Sequence, residues 1–98
     1  MGKNVKTIKD KAFYKCIALT KITIPSKVTK IGKQAFYGCK KLTKITFKTT
    51  KLKNSKVGSK AFKGTPKNVK VKVPETKINS YTKMLIKKGM SKNAKISK

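Results

Sequence analysis

Apolar residues recur along this chain in a fixed order rather than in one continuous block. In residues 19–24 the pattern alternates toward its end, with Ile22 and Ile24 on one face and Lys21 and Thr23 on the other. A period of two predicts a short, half-buried strand. The same pattern returns at residues 42–47 and 69–73, so three strands are expected. Pro25 and Pro74 close the first and third, because a residue without an N–H cannot continue a ladder. Residues 10–16 are too few for a long regular helix. A helical or 3-10 turn that points Phe13 and Cys16 inward is expected there.

The strands belong to a repeat. Under a shift of 23 residues, Ile8, Ala12, Phe13, Tyr14, Cys16 and Leu19 recur as Ile31, Ala35, Phe36, Tyr37, Cys39 and Leu42. The tetrad at 20–23 recurs unchanged at 43–46. A third copy follows a three-residue insertion, with Val57, Ala61, Phe62, Gly64, Val71 and Val73 answering Ile31, Ala35, Phe36, Gly38, Ile45 and Phe47. That copy has Thr65 in place of Cys and Asn68 in place of Leu. One such unit cannot bury its apolar face alone, so stacked coils are expected. The organisation read from this is about three coils over residues 1–74, with an insertion near 49–56, and a C-terminal helical cap over 75–98. Asn54, Ser55 and Gly58 mark the insertion as a loop. Ala12, Ala35 and Ala61 stay small where coils approach closely. Gly38 and Gly64 face Lys15, and Gly32 and Gly58 face Lys9, so these glycine sites are expected to be permissive only. In the cap, Asn79 or Ser80 is the expected N-cap, and Tyr81, Met84 and Leu85 share a face. Ile78 is expected to pack where the helix begins, Gly89 suits its end, and residues 94–96 suit a last extended piece.

Composition narrows the chemistry. The 98 residues hold 28 Lys and no Arg, His or Trp, against two carboxylates, Asp10 and Glu75, for a formal charge of +26. No imidazole is present to act as base or ligand. Two isolated carboxylates make neither a paired hydrolytic site nor a hard-cation cage. Two Cys fall short of the four ligands of a structural zinc site. No enzyme and no cofactor are expected. An apolar fraction of 37% with this charge would suit disorder, but the periodicity argues for a fold.

The charge does speak of partners: it attracts nucleic acid, sulfated glycan, wall polymer, anionic lipid or an acidic protein. Without Arg the bidentate fork that reads guanine is missing, so no specific nucleic acid is expected. No run approaches the roughly 18 apolar residues of a spanning helix. The start shows no signal-peptide core, and Lys6 breaks the myristoylation pattern.

With the register in place, Ile8, Ala12-Phe13, Cys16, Leu19, Ile22, Ile24-Pro25, Val28 and Ile31-Gly32 resemble the BspA-like leucine-rich repeat family of bacterial surface proteins. The second copy carries the same motif as Ala35-Phe36, Cys39, Leu42 and Ile45, with Phe47-Lys48 where Ile-Pro is the family pattern. The end of the chain is similar to the C-terminal segment of longer members. The resemblance implies an α/β repeat: a right-handed leucine-rich-repeat solenoid with a short-stranded parallel sheet and a C-terminal capping helix. It also implies an extracellular or bacterial cell-surface protein that binds proteins or glycans, as in adhesion to host matrix or to other cells. The family supplies no catalytic residues to carry over. Its buried small-residue column implies that Cys16 and Cys39 are free interior thiols, although their stacking would also permit a bridge.

Stacking places Lys21, Lys44 and Lys70 in one outward column, Thr23, Thr46 and Lys72 in the next, and Pro25, Lys48 and Pro74 in a third. Lys21, Thr23, Lys44, Thr46, Lys48, Lys70 and Lys72 are therefore the candidate binding face, for a host matrix or surface protein or for an anionic glycan or wall polymer. Tyr14 and Tyr37 could offer ring faces beside lysines or could pack at the boundary of the core. Two rivals remain: a structural cap or spacer whose lysines hold wall polymer or other polyanions, and a ribosomal-type nucleic-acid binder suggested by size and charge. The open N-terminal end is expected to dock further coils or to self-associate.

Overall fold

The computed structural model describes residues 2–98. The chain runs through Thr7–Ile8 (β1), Lys21–Ile24 (β2), Lys30–Ile31 (β3), Lys44–Phe47 (β4), Lys70–Lys72 (β5), a helix Ile78–Lys87 (α1) and Lys95–Ser97 (β6). β1 and β3 pair in parallel, and Val57 adds a single bridge to Ile31. The other strands make one parallel sheet in the order β2-β4-β5-β6. The three strands read from alternation are all present, and the extended piece near residue 96 is the fourth. The helix follows a 3-10 turn, Glu75–Lys77, without a break, which puts Asn79 and Ser80 inside α1 rather than at its cap. Lys77 holds the cap position with no side-chain bond, and the Ser80 hydroxyl donates back to the Lys77 carbonyl at 3.3 Å. Tyr81, Met84 and Leu85 are buried together as the spacing predicts, and Ile78 packs against the core.

The repeat unit stacks its own side chains. Phe13, Phe36 and Phe62 lie ring on ring, with centroids 5.2 and 5.3 Å apart. Phe47 meets Phe62 edge-on, and Tyr81 meets Phe47 the same way, both at 6.0 Å, which carries the aromatic column from the coils into the helix. In the third copy Val69 fills the place of the missing Leu: it is fully buried, and its N–H bonds Pro66 as that of Leu42 bonds Cys39.

The segment at 10–16 forms consecutive tight turns, not the expected helical or 3-10 turn. Lys11 and Lys15 take left-handed dihedrals (φ 55° and 53°), which no right-handed helix accepts. Their equivalents do the same: Gln34 and Lys60 at φ 55° and 57°, Gly38 and Gly64 at 73° and 86°. This geometry turns alternate N–H groups outward to the next coil. Phe13 donates to Ala35 at 2.8 Å, Phe36 to Ala61 at 2.7 Å, and Phe62 to Lys88, just past α1, at 3.0 Å. The glycine sites are thus not merely permissive. Gly38 and Gly64 occupy a position that is left-handed in every coil, and Lys15 adopts it despite its Cβ. Gly32 and Gly58 answer a different need, because a Cβ there would lie 2.3 Å from a backbone nitrogen of the preceding coil. Lys9 replaces them only in the first coil, where no coil of this structure lies in front.

The insertion is tied down from two sides. The Thr49 hydroxyl, fully buried, donates to Val28 O at 2.6 Å and accepts from the Lys51 N–H at 3.1 Å. The Tyr81 hydroxyl donates to Thr49 O at 2.8 Å and accepts from the Leu52 N–H at 3.2 Å.

Candidate functional site

The parallel register puts like residues side by side on the outward face of the sheet. Lys21, Lys44, Lys70 and Lys95 are successive partners across the four strands. Thr23, Thr46, Lys72 and Ser97 are the next row. Six of the seven expected face residues are thereby brought together, all exposed except the half-buried Thr46. The seventh, Lys48, follows the end of β4, where its N–H donates to Ile24 O at 2.9 Å and its side chain is exposed. Sequence reading missed Lys95 and Ser97. Their signal was the Lys-apolar alternation at 95–97, which matches 70–72, but the intervening helix hides the register.

Among the described residues no carboxylate forms an ion pair with a lysine of this face. The Asp10 carboxylate accepts the Lys33 N–H at 2.8 Å, and Glu75 pairs with Lys98 at 3.3 Å with both side chains well exposed. Neighbouring strands lie about 4.8 Å apart, and unit charges at that distance in water repel by about 0.8 kcal/mol. The lysine row is therefore an unneutralised cationic strip. Its end at β2 opens into a groove of about 620 Å³ whose lining includes Lys3, Lys21 and Lys48 together with Phe13, Leu19 and Ile22.

The remaining side chains fill other roles. Cys16 and Cys39 are both free thiols. Cys39 donates to Phe13 O at 3.0 Å, and burial pushes its thiol pKa up, the opposite of what a reactive cysteine requires. Tyr14 and Tyr37 stack at 5.3 Å, with the Lys11 and Lys15 ammonium groups 5.2 and 5.3 Å from the Tyr14 centroid. They sit on the turn ladder and take no part in the lysine row. Among the described residues no three His, Cys, Asp or Glu side chains cluster as metal ligands.

Residues 2–97 match the family model for the BspA type leucine-rich repeat region (6 copies). The chain belongs to the BspA-type leucine-rich repeat family. The parallel strands and C-terminal helix fit an α/β repeat of that family, and the match runs through α1 and β6 as well as the strands before them. No curated protein and no solved structure matches this BspA-type chain. Membership makes it a protein-interaction module of a typically surface-associated family. Among the described residues no helix is long and apolar enough to cross a membrane.

Proposed function

We propose that this BspA-type chain is a non-enzymatic recognition module that uses its lysine- and threonine-bearing sheet face to bind a host matrix or surface protein, or an anionic glycan, outside a bacterial cell. In this reading the coils form a right-handed solenoid over residues 1–74, and residues 75–98 cap it. The observation that carries it is the register of Lys21, Lys44, Lys70 and Lys95, none of them in an ion pair among the described residues. A flat row of like charges repels itself, and an anionic partner relieves that repulsion while it gains affinity.

The test is binding of matrix proteins, heparin and duplex DNA, each titrated through rising salt, by the parent chain and by a Lys21→Glu, Lys44→Glu, Lys70→Glu variant. A protein or glycan ligand that persists above physiological salt, and that the variant loses by roughly tenfold or more, supports the face. The spacer reading draws on a different observation: exposed lysines also cover the turn ladder, at Lys11, Lys33, Lys40 and Lys63. It expects every interaction to fade together with salt and the folded variant to bind polyanions nearly as well.

A further inference from the structure

We infer that the open edge of β2 is a second docking site, for an extended acidic segment of a partner protein that adds to the sheet as a fifth strand. The inference goes beyond the face reading. The face acts through side chains, whereas the edge acts through the main chain, so each can fail alone.

Three observations lead to it. The carbonyl of Thr20 accepts the Thr43 and Lys44 N–H groups, and that of Ile24 accepts the Lys48 N–H. Alternation along a parallel strand then turns the N–H and C=O of Lys21 and Thr23 away from β4, toward the open edge. An edge of this kind is a template for strand addition. Next, the interior behind the edge is incomplete. Phe13, Leu19 and Ile22 are only partly buried, while their counterparts Phe36, Leu42 and Ile45 are fully buried. Finally, the groove joins these apolar groups to Lys3, Lys21 and Lys48 around the same strand, with no carboxylate in its lining. A strand of alternating apolar and acidic residues fits it: the apolar side chains extend the inner columns and the carboxylates extend the lysine row.

The same geometry argues against two other occupants. A further coil stacked in this register would bring backbone to the Cβ of Lys9, because the equivalent Cβ on Gly32 or Gly58 would sit 2.3 Å from the coil before it. Lys9 follows β1, in the other sheet, so a lone strand on β2 does not meet it. A second copy of the chain would bring a molecule of charge +26 against an edge already bordered by Lys3, Lys21 and Lys48.

The experiment uses a short peptide that alternates Glu and Val, a peptide of the same composition with Glu and Val in blocks, and the alternating peptide N-methylated at alternate amides. Backbone amide exchange is read by NMR on the whole chain. The alternating peptide should slow exchange at Lys21 and Thr23 by about tenfold or more at saturation. The block and N-methylated peptides should not, since they keep the charge but lose the pairing. Thr23→Pro removes one edge N–H and should abolish binding, while Thr23→Val keeps it; Pro is tolerated where the N–H faces solvent. Equal binding of all three peptides, or unchanged exchange at Lys21 and Thr23, would overturn the inference. So would a concentration-dependent dimer that already protects these amides without peptide. Because the N-methylated peptide leaves the protein untouched, the test stands even if Thr23→Pro fails to fold.

Discussion

At the residue scale, position 15 and its equivalents show how one backbone requirement can be met by two kinds of side chain. A left-handed dihedral costs a residue with a Cβ about 1–2 kcal/mol, part of which Gly returns through its larger unfolded-state entropy. Lys15→Gly should therefore stabilise the fold by about 0.5–1 kcal/mol, read as a rise of a few degrees in melting temperature. Gly32→Ala belongs to the other class. Its φ is not left-handed, but the new methyl would fall on the backbone nitrogen of Asp10, so a loss of at least about 3 kcal/mol in urea unfolding is expected. Sequence comparison alone pooled these glycines, because Lys faced both kinds in the first coil. The distinction lies in what stands in front of each residue, and a single coil does not display it.

Titration gives a second expectation at this scale. Burial raises the pKa of the Cys39 thiol and of the Tyr81 phenol, and the hydrogen bond from Leu52 lowers the latter only in part. Both groups are neutral when protonated, so as pH rises each ionises first in the unfolded chain. Stability is intact below the unfolded values, about 8.5 for a thiol and about 10 for a phenol, and is lost as pH climbs through the raised folded ones. Unfolding free energies measured between pH 7 and pH 10 should fall less steeply in Cys39→Ala than in the parent chain. Equal slopes would show that the thiol makes no contribution to the alkaline loss.

At the element scale, strands were legible and turns were not. Alternation identifies a half-buried strand because side chains point to opposite faces by necessity, and β2, β4 and β5 lie within the expected segments. The turn ladder at 10–15 has no such period. Alternate N–H groups, those of Lys11, Phe13 and Lys15, bond the next coil, while those of Ala12, Tyr14 and Cys16 close local turns, so its shape depends on stacking as well as on local propensity. The cap misled in a related way, since the 3-10 turn at 75–77 feeds α1 directly and leaves Asn79 and Ser80 no terminus to satisfy. Tyr81 is the residue that joins helix to insertion. Tyr81→Phe removes one donated and one accepted bond at buried backbone groups of Thr49 and Leu52, for a cost of about 1–3 kcal/mol. The ring stays packed on Phe47, so amide exchange at residues 49–56 should quicken before the sheet is affected. Uniform acceleration across the chain would mean that the loop and core open as one unit.

At the scale of the whole molecule, the coil register was legible from a 23-residue shift, while the membership of β6 was not, because α1 interrupts the period. The consequence for function is that the cationic row is four lysines long. Charge then acts on the entire structure. The molecule measures 27 × 25 × 21 Å, and the Debye length at 0.01 M salt is about 30 Å. At that ionic strength every charge feels every other, and a net +26 opposes the compact state. Melting temperature should rise steadily with NaCl from about 0.01 to 0.15 M, over which the Debye length shrinks to roughly 8 Å. Within that general repulsion, Lys44, like Lys70, is a special case because it has lysine neighbours on both sides, here Lys21 and Lys70. Lys44→Gln should raise the melting temperature at low salt more than Lys27→Gln, whose side chain donates to the amide oxygen of Asn4 and lies off the sheet. The gap should close at high salt, where the row no longer repels itself. The same substitution should weaken binding of an anionic ligand to the face, so that stability and affinity move in opposite directions. A row kept for recognition has that signature, whereas a lysine coat with no preferred face gives the two variants equal shifts.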